Sequence, residues 1–222
     1  MSKISIAVIR RLPRYYRFLG ELLKSGSERI SSRELSEKMG LTASQIRQDL
    51  NCFGGFGQQG YGYNIHELHK EIGKILGLDV CYEAILIGAG NLGKAIANHM
   101  DFANRGFKLV GVFDQNDELV GKVLKGIEIQ HTDKLEEFCN INHPKVAILC
   151  IPKTSTRAIC DRIIPLGIKG VWNFSHYDLA KENNIIVENV HLSDSLMTLS
   201  YKIKEKNNNE ENTDNQTTNN NM

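Results

Sequence analysis

A glycine-rich segment with the pattern G-x-G-x-x-G lies in the middle of the chain. It follows the apolar run Ala84–Ile87 and precedes a helical stretch that reaches about Phe102. Its residues are Gly88, Ala89, Gly90, Asn91, Leu92 and Gly93. In this context the first glycine permits a tight turn, the second lets a pyrophosphate approach the backbone, and the third allows close helix–strand packing. The helix N-terminus adds amide donors, so the segment predicts a dinucleotide site.

A carboxylate stands at the end of the next predicted strand. That strand is Lys108–Phe113, and Asp114 follows it, 21 residues beyond Gly93. A carboxylate at this place accepts hydrogen bonds from a ribose diol and repels a 2′-phosphate. The motif and the acid together predict binding of NADH and NAD⁺ rather than of their 2′-phosphorylated forms.

Strands and helices continue to alternate after this point. The predicted elements are buried strands over Val146–Ile151, Gly170–Phe174 and Ile185–Val190, with helices over about Ser155–Leu166 and Tyr177–Glu182. Such alternation builds an α/β fold with a doubly wound parallel sheet of the Rossmann type, which binds ligands beyond the carboxyl ends of its strands. Pro152, Asn173 and Phe174 lie at such ends. We therefore expect them to face the nicotinamide half of the ligand.

Two short helices near the N-terminus both begin with a capping-box pattern. The boxes are Ser31–Glu34 and Thr42–Gln45, and Gly40 between them suits the left-handed cap that ends a helix. Two short helices joined this closely form a helix-turn-helix. The second of them turns Ile46 and Leu50 inward.

The outward face of that second helix is polar. It carries Ser44, Gln45, Arg47, Gln48 and Asn51. These side-chain types read base edges and phosphates in a major groove, although solvation alone also accounts for polar residues on a helix exterior. Five glycines then occur in nine residues, from Gly54 to Gly62, interleaved with aromatic residues. They predict a tight β-hairpin, a wing that presents Gln58, Gln59 and Tyr61 to a duplex.

Charge is divided unevenly along the chain. Residues 1–63 carry a formal net charge of +5, and residues 64–222 carry −4. A basic N-terminal third indicates a polyanion-binding module, although a charge of this size is also common among helical segments. Together with the helices and the wing it favours double-stranded DNA as the partner, and we assign Arg11 and Arg14 to the same surface.

Length and composition limit the classes of protein to which the chain can belong. The 222 residues, 41% of them apolar, predict two unequal domains. No stretch approaches the roughly 18 apolar residues of a membrane span, and the basic N-terminus does not read as a signal peptide. The five cysteines form no C-x-x-C pair, which argues against a disulfide framework or a zinc site and predicts a cytoplasmic location.

The last predicted helix carries an apolar stripe of Leu192, Leu196, Leu199 and Ile203. This stripe docks either on a partner subunit or on its own sheet, and the sequence leaves both alternatives open. Beyond it, the asparagine-rich residues 207–222 cannot bury enough surface to fold and are predicted to be disordered. The predicted organisation is a winged-helix domain over 1–80, a nucleotide domain over 81–190, a dimerisation helix over 191–206 and the tail.

The sequence also bears on whether the chain is an enzyme. A dehydrogenase needs an acid–base group beside the hydride site, most often a histidine. None of the seven histidines pairs with an obvious carboxylate, and the nucleotide fold nearly consumes residues 83–206, which leaves no substrate domain. A regulator is therefore favoured. The alternative is a small NAD-dependent oxidoreductase whose basic N-terminus is a dimerisation arm.

Several short segments together make a resemblance specific. They are Arg11–Arg17, Ser31–Leu35, Gln45–Leu50, Phe53–Gly57, Gly60–Tyr63, the glycine motif, Gly167–Gly170 with Asn173–Phe174, and Glu188–Val190. The chain resembles the Rex family of redox-sensing transcriptional repressors over roughly residues 4 to 204. The resemblance implies a homodimer of winged-helix domains joined to Rossmann domains, with a C-terminal helix that swaps between subunits. It further implies binding to palindromic operators, from which NADH, and not NAD⁺, releases the protein.

The resemblance also assigns roles to individual residues. It places Gln45 and Arg47 on recognition-helix contacts, Gly57–Gly60 on the wing, and Leu192 near the nicotinamide across the dimer. The chain departs from the family where Gln48, Gln58 and Gln59 replace lysine or arginine, and where His99 and His191 occupy positions of a tyrosine and an acid that communicate across the dimer. We expect apolar groups such as Leu192 and Phe174 to penalise the cationic ring of NAD⁺ relative to neutral NADH.

Overall fold

The computed structural model describes residues 4–54, 57–58, 61–179 and 185–219. The chain divides into two units, each with its own apolar core. The first unit comprises Met1–Cys81 and Ala103–Gly106, and the second comprises Tyr82–Phe102 and Phe107–Met222.

The first unit is a helix-turn-helix followed by a hairpin. Its elements are α1 (Ile6–Lys24), β1 (Arg29–Ile30), α2 (Ser32–Met39), α3 (Ala43–Asn51), β2 (Gly57–Gln58), β3 (Gly62–Asn64) and α4 (Ile65–Ile75). The strands form an antiparallel sheet in the order β1-β3-β2, which is the predicted wing. Ser31 makes the full capping box with Glu34, and Gly40 ends α2 in the left-handed conformation with φ +61°. The winged helix-turn-helix is confirmed.

The two capping boxes predicted at the helix starts are not equivalent in the structure. The Thr42 hydroxyl accepts a hydrogen bond from the backbone N–H of Gln45, as expected. The Gln45 side chain does not accept a bond from Thr42 in return; it extends along α3, where its Nε2 donates to Asp49 Oδ1 one turn further on. Only half of the second box therefore forms.

The core of the first unit joins α1 to the recognition helix α3. Leu12, Tyr15 and Leu19 line one face of α1 at helical spacing, and all three are fully buried. They belong to the same cluster as Ile46 and Leu50 of α3. Burial of this shared face holds α3 against α1 and leaves its opposite face at the surface.

The second unit is a doubly wound parallel sheet, as predicted. Its elements are β4 (Tyr82–Ile87), α5 (Asn91–His99), β5 (Phe107–Asp114), β6 (Val123–Leu124), β7 (Ile127–His131), α6 (Leu135–Asn142), β8 (Val146–Leu149), α7 (Lys153–Ile163), β9 (Gly170–Asn173), β10 (Ile186–Asn189) and α8 (Leu192–Asn219). The sheet order is β10-β9-β8-β4-β5-β7-β6, and all neighbours are parallel except β6 and β7. The chain runs outward from β4 on one side and restarts at β8 on the other. The carboxyl ends of β4 and β8 therefore flank the point at which ligands bind in such sheets.

Most predicted elements differ from the structure by a few residues at their ends, and two predictions differ by more. The helix expected over Tyr177–Glu182 does not form at Tyr177–Leu179, and residues 180–184 lie outside the described part of the chain. The terminal helix, expected to end at Lys206 and give way to a disordered tail, continues as α8 to Asn219. Residues 192–219 contain no proline or glycine, and an established helix extends at little cost per residue. Across the described ranges no helix is long and apolar enough to span a membrane.

Candidate functional site

The glycine motif forms the loop between β4 and α5, and its three glycines have different roles. Gly88 has φ +96°, and a Cβ there would lie 2.4 Å from the carbonyl oxygen of Cys150. A Cβ on Gly93 would lie 1.9 Å from the carbonyl oxygen of Gly88. Gly90 instead has no atom within 4 Å of its missing Cβ. The first and third glycines therefore permit the fold, and the second leaves open space above the loop.

The N-terminus of α5 offers backbone donors at this open space. Gly90 is the N-cap residue, and no side chain caps the helix start. Asn91 and Leu92 in the first turn are exposed. Amides and a positive dipole end that are left without a capping group suit an anionic ligand such as a pyrophosphate.

Asp114 at the end of β5 ties the loop to the neighbouring strand. Its Oδ2 accepts a hydrogen bond from the backbone N–H of Ala89 at 2.6 Å, and its Oδ1 accepts one from Asn116 N–H at 2.9 Å. The side chain is half-buried, and a carboxylate with two such bonds retains lone pairs for hydroxyl donors. The predicted acid thus lies beside the glycine loop with acceptor capacity for a ribose diol.

A cavity of about 280 Å³ opens at the carboxyl ends of the central strands. It brings together four of the predicted cofactor residues, Gly88, Gly90, Asp114 and Pro152. Sequence reasoning missed other lining residues, among them Leu119, Thr132, Ile151 and Ser155. Thr132 follows the end of β7 and Ser155 lies in the first turn of α7, so position at a strand end was the signal that could have found them.

Asn173, predicted to face the ligand, has its amide engaged within the chain. Its Nδ2 donates to the Tyr177 carbonyl oxygen at 2.7 Å and to Asn189 Oδ1 at 2.8 Å. Its Oδ1 accepts from the backbone N–H and the hydroxyl of Ser175, at 3.0 and 2.7 Å. Two donors and two lone pairs are all used, and the side chain is fully buried. An amide contact to a ligand would require breaking one of these bonds.

The other residues predicted to lie near the nicotinamide, and the two histidines at positions that communicate across the dimer, are not part of the cavity lining. Phe174 is half-buried with its ring edge-to-face on Trp172, at 4.6 Å between centroids. Leu192 is the first residue of α8 and is 61% exposed. His191 Nε2 lies 2.9 Å from Asp178 Oδ1, so the expectation that no histidine pairs with a carboxylate was wrong. His99 is exposed at the end of α5.

Four of the five α3 residues predicted to contact DNA lie at the protein surface. Ser44, Arg47, Gln48 and Asn51 are exposed. Arg47 Nη1 donates to the hydroxyl of Ser32 at 3.1 Å, so its guanidinium is steered along the start of α2 while remaining at the surface. This face offers one cation and three short or planar polar side chains, the set that contacts bases and phosphates.

Three other residues predicted to contact DNA have partners inside the chain. Arg11 donates from Nε and Nη2 to the two oxygens of Asp49, at 2.7 Å each. Gln45 Nε2 donates to Asp49 Oδ1 at 2.9 Å, and Arg14 donates to the Met39 carbonyl oxygen. Asp49 was missed by sequence reasoning, although it follows the buried Ile46 at three-residue spacing and so shares its face of α3.

The wing is anchored by a close backbone approach. Gly62 has φ +70°, and a Cβ there would lie 2.6 Å from the Ile30 carbonyl oxygen. Tyr61 is 71% exposed, and the Arg29 guanidinium lies 5.9 Å from the centre of its ring. Gln58 lies in β2, and Gln59 is outside the described residues.

Comparison with known proteins gives two family matches on these two units. Residues 3–51 match the family described as "Putative DNA-binding protein N-terminus", and residues 81–177 match the family described as "CoA binding domain". The redox-sensing transcriptional repressor Rex of Caldanaerobacter subterraneus subsp. tengcongensis is 58% identical over 209 residues, which cover 93% of each chain. The chain belongs to the Rex family.

Solved structures agree with this assignment. The crystal structure of the Rex-family repressor RSP in complex with β-NAD⁺ and operator DNA matches with a TM-score of 0.85 at 55% identity, and covers 95% of this chain and 97% of that chain. The structure of RSP in complex with β-NADH matches with a TM-score of 0.86 at 52% identity, and covers 95% and 99%. The fold and the family expected from the sequence are confirmed.

Proposed function

We propose that this protein is a transcriptional repressor that binds operator DNA as a homodimer and is released when NADH occupies its second unit. The observation that carries the proposal is the presence on one chain of an exposed recognition face on α3 and a dinucleotide cavity at the β4–β8 switch point. Family membership connects the two, because RSP has been crystallised with NAD⁺ and operator DNA and, separately, with NADH. Binding to DNA implies the compartment that holds the chromosome, so we propose a cytoplasmic location.

In the first unit, α3 is the element that enters the major groove. Ser44, Arg47, Gln48 and Asn51 supply its contacts, and on the sequence pattern we assign Gln58, Gln59 and Tyr61 to the same duplex. Glutamine donors on the wing contribute no charge, so phosphate attraction depends more heavily on Arg47 and on the net charge of this part of the chain.

In the second unit, the glycine loop holds the pyrophosphate of the dinucleotide. The space over Gly90 admits it, and the backbone N–H groups of Asn91 and Leu92 provide donors, since that of Ala89 is already bonded to Asp114. Asp114 accepts from the ribose hydroxyls, and a 2′-phosphate there would meet its negative charge. Pro152 and Ile151 line the same cavity on its apolar side.

The residues on the nicotinamide side determine which oxidation state is preferred. NAD⁺ carries a cationic ring and NADH a neutral one. Apolar groups such as Ile151, Phe174 and a partner's Leu192 offer no compensating charge, so we expect them to disfavour the cation by about 1–3 kcal/mol. That range corresponds to about one to two decades in affinity.

Dimerisation rests on α8. Leu196, Leu199 and Ile203 are 68%, 51% and 53% exposed along one stripe of this helix. Of the two docking alternatives left open by the sequence, the structure leaves the stripe uncovered by its own sheet. A row of large apolar side chains in water is unfavourable, so we assign the stripe to a second copy of the chain.

The oxidoreductase alternative finds little support in the cavity. Its described lining contains no histidine, lysine or tyrosine that could transfer a proton to a substrate. Its cysteine, Cys150, remains a thiol because burial raises its pKa to about 12. We therefore propose that the protein is not an enzyme.

The experiment is a fluorescence anisotropy titration of the full-length protein against the operator duplex crystallised with RSP, with a scrambled duplex as control. We expect the operator to bind more tightly than the scrambled duplex, and NADH to raise the Kd for the operator at least tenfold while equimolar NAD⁺ leaves it within about twofold. Equal effects of the two dinucleotides, or equal binding of the two duplexes, would refute the proposal.

A further inference from the structure

A buried carboxylate lies on the inner side of the recognition helix. Asp49 of α3 is 1% exposed, and in the described ranges it is the one buried residue of the types that are charged at neutral pH. Its neighbours on the same side of the helix are Ile46 and Leu50, which belong to the core. A buried charge is unfavourable unless it is paired and hydrogen-bonded, so Asp49 requires partners within this unit.

The Asp49 carboxylate accepts four hydrogen bonds from three side chains. Arg11 contributes two, at 2.7 Å each, one to each oxygen. The Tyr15 hydroxyl donates to Oδ2 at 3.0 Å, and Gln45 Nε2 donates to Oδ1 at 2.9 Å. Every oxygen therefore has one charged and one neutral donor, which satisfies the buried group.

The balance of these contacts keeps the pair ionised. Burial alone would raise the pKa of Asp49, but the hydrogen bonds from Arg11, Gln45 and Tyr15 outweigh burial and lower it. The hydrogen bond with Asp49 raises the pKa of Arg11 in turn. Both groups are therefore charged at neutral pH, and each neutralises the other.

The geometry links two helices at fixed points. Arg11 and Tyr15 lie four residues apart on one face of α1, and both contact the same carboxylate of α3. A bidentate guanidinium–carboxylate pair is directional, unlike the apolar contacts around it. It restricts rotation of α3 about its own axis, and that rotation sets the direction in which the short side chains Gln48 and Asn51 meet base edges, while Arg47 stays at the surface.

The ion pair also neutralises the negative charge of the recognition helix. Arg47 and Asp49 are the charged residues of α3, and they lie on its outer and inner sides. Without Arg11, the buried Asp49 carboxylate would have no cationic partner, at a cost to the packing of α3 against α1.

We propose that Arg11 and Asp49 form a clamp that sets the orientation of the recognition helix, and that Arg11 is a positioning residue that does not contact DNA phosphate. The clamp rests on the proposed function, since it concerns how the operator is read. It replaces the sequence-based assignment of Arg11 to the DNA surface.

The salt dependence of binding separates the two roles. A side chain that neutralises a phosphate contributes about 0.9 to the slope of log Kd against log salt concentration, whereas a positioning residue contributes nothing of its own. Operator binding is measured by anisotropy for the full-length Arg11→Met, Asp49→Asn, Arg11→Met/Asp49→Asn and Arg11→Lys variants at a series of salt concentrations. Arg10→Met is the matched control, because Arg10 is an exposed arginine one residue away on α1.

We expect Arg11→Met to weaken operator binding at least tenfold with a slope within about 0.3 of the wild type, where loss of one phosphate contact gives about 0.9. The double variant should bind at least threefold more tightly than Arg11→Met, because it no longer contains an unpaired buried charge. Arg11→Lys, which retains the charge and loses the bidentate geometry, should fall between Arg11→Met and the wild type. The Arg10→Met control should weaken binding less than Arg11→Met.

The Kd for NADH, measured by NADH fluorescence, should stay within about twofold of the wild type in every variant. Such binding would show that the second unit is folded. A slope reduced by about 0.9 in Arg11→Met, or a double variant no better than Arg11→Met, would overturn the clamp while leaving the repressor function intact. Wild-type affinity in Arg11→Lys would also overturn it, because charge alone would then suffice. Absence of operator binding by the wild type would instead refute the proposed function on which the clamp rests.

Discussion

The carboxylate of Asp114 holds the backbone N–H of Ala89 at 2.6 Å, so the acid at the end of β5 is bonded to the glycine loop before any ligand is considered. One carboxylate therefore fixes the loop through a backbone hydrogen bond and is expected to accept hydrogen bonds from the ribose hydroxyls. The bond also explains why the acid and the motif occur together, since each needs the other in position.

Replacement of this acid should change both affinity and selectivity. We expect Asp114→Ala to weaken NADH binding by about 10–100-fold, since a hydrogen bond to a charged group contributes about 1.5–3 kcal/mol. Binding of NADPH should fall much less, because the 2′-phosphate no longer meets a negative charge. Protein fluorescence titrations with both dinucleotides measure this. Asp117→Ala, which removes an exposed carboxylate outside the cavity lining, is the control, and an unchanged NADH:NADPH preference in Asp114→Ala would contradict the assignment.

Two glycine substitutions in the same loop should fail in different ways. Gly90→Ala places a methyl group in open space at an ordinary φ of −69°, so the protein should keep its melting temperature and lose NADH binding. Gly93→Ala drives a Cβ to 1.9 Å from the Gly88 carbonyl oxygen, so it should lower the melting temperature. Calorimetry and NADH titration of both variants distinguish the cases. Full NADH affinity in Gly90→Ala would show that the pyrophosphate does not bind at this loop.

Charge on the α8 stripe should separate the subunits. We expect Leu196→Asp/Leu199→Asp to convert the dimer to a monomer in light scattering after size exclusion, because two carboxylates would be buried without partners. Lys202→Glu, at an exposed polar position of the same helix, is the matched control and should remain dimeric. A dimer of normal stability in the double variant would place the interface elsewhere.

Arg47 should be the main ionic contact of the recognition helix. Arg47→Ala should weaken operator binding by at least tenfold and reduce the salt slope by about 0.9, with NADH affinity unchanged. Arg33→Ala, which removes an exposed arginine of α2 paired with Glu37, serves as the control. Loss of both activities in Arg47→Ala would mean that the residue supports the fold.

Acid should weaken the first unit through His69. This ring stacks on Tyr16 at 4.0 Å, and burial lowers its pKa from the ordinary value of 6.5. The folded state therefore takes up its proton less readily than the unfolded state, so the stability from this site is present above pH 6.5 and is lost as the pH falls below it. Urea unfolding at pH 7.5 and 5.5 should show a smaller pH effect in His69→Phe than in the exposed-site control His99→Gln. Equal pH effects in both would exclude His69 as the source.

The sequence allowed prediction of the features that depend on neighbouring residues. The capping box at Ser31, the turn at Gly40 and the glycine loop follow from residues within one helical turn of each other, and the position of Asp114 follows from the regular length of a strand–helix–strand unit. For the same reason the doubly wound order could be expected before any coordinates.

Features made by distant residues could not be predicted. Arg11 and Asp49 lie 38 residues apart, and nothing in either local pattern shows that they meet. Asn173 stands at a strand end like a ligand-binding residue, but four internal bonds engage it. The helix predicted after β9 was wrong at Tyr177–Leu179, where the Tyr177 carbonyl accepts from Asn173 rather than from a helical N–H.

The margins of the large sheet bear on how the protein behaves at high concentration. The sheet ends in β6, two residues long, and β10, four residues long. Edge strands this short offer an incoming strand few unpaired backbone N–H and C=O groups, and natural proteins use this to avoid fibrous self-association. Dimerisation through α8, as proposed above, would therefore not compete with strand pairing at either end of the sheet.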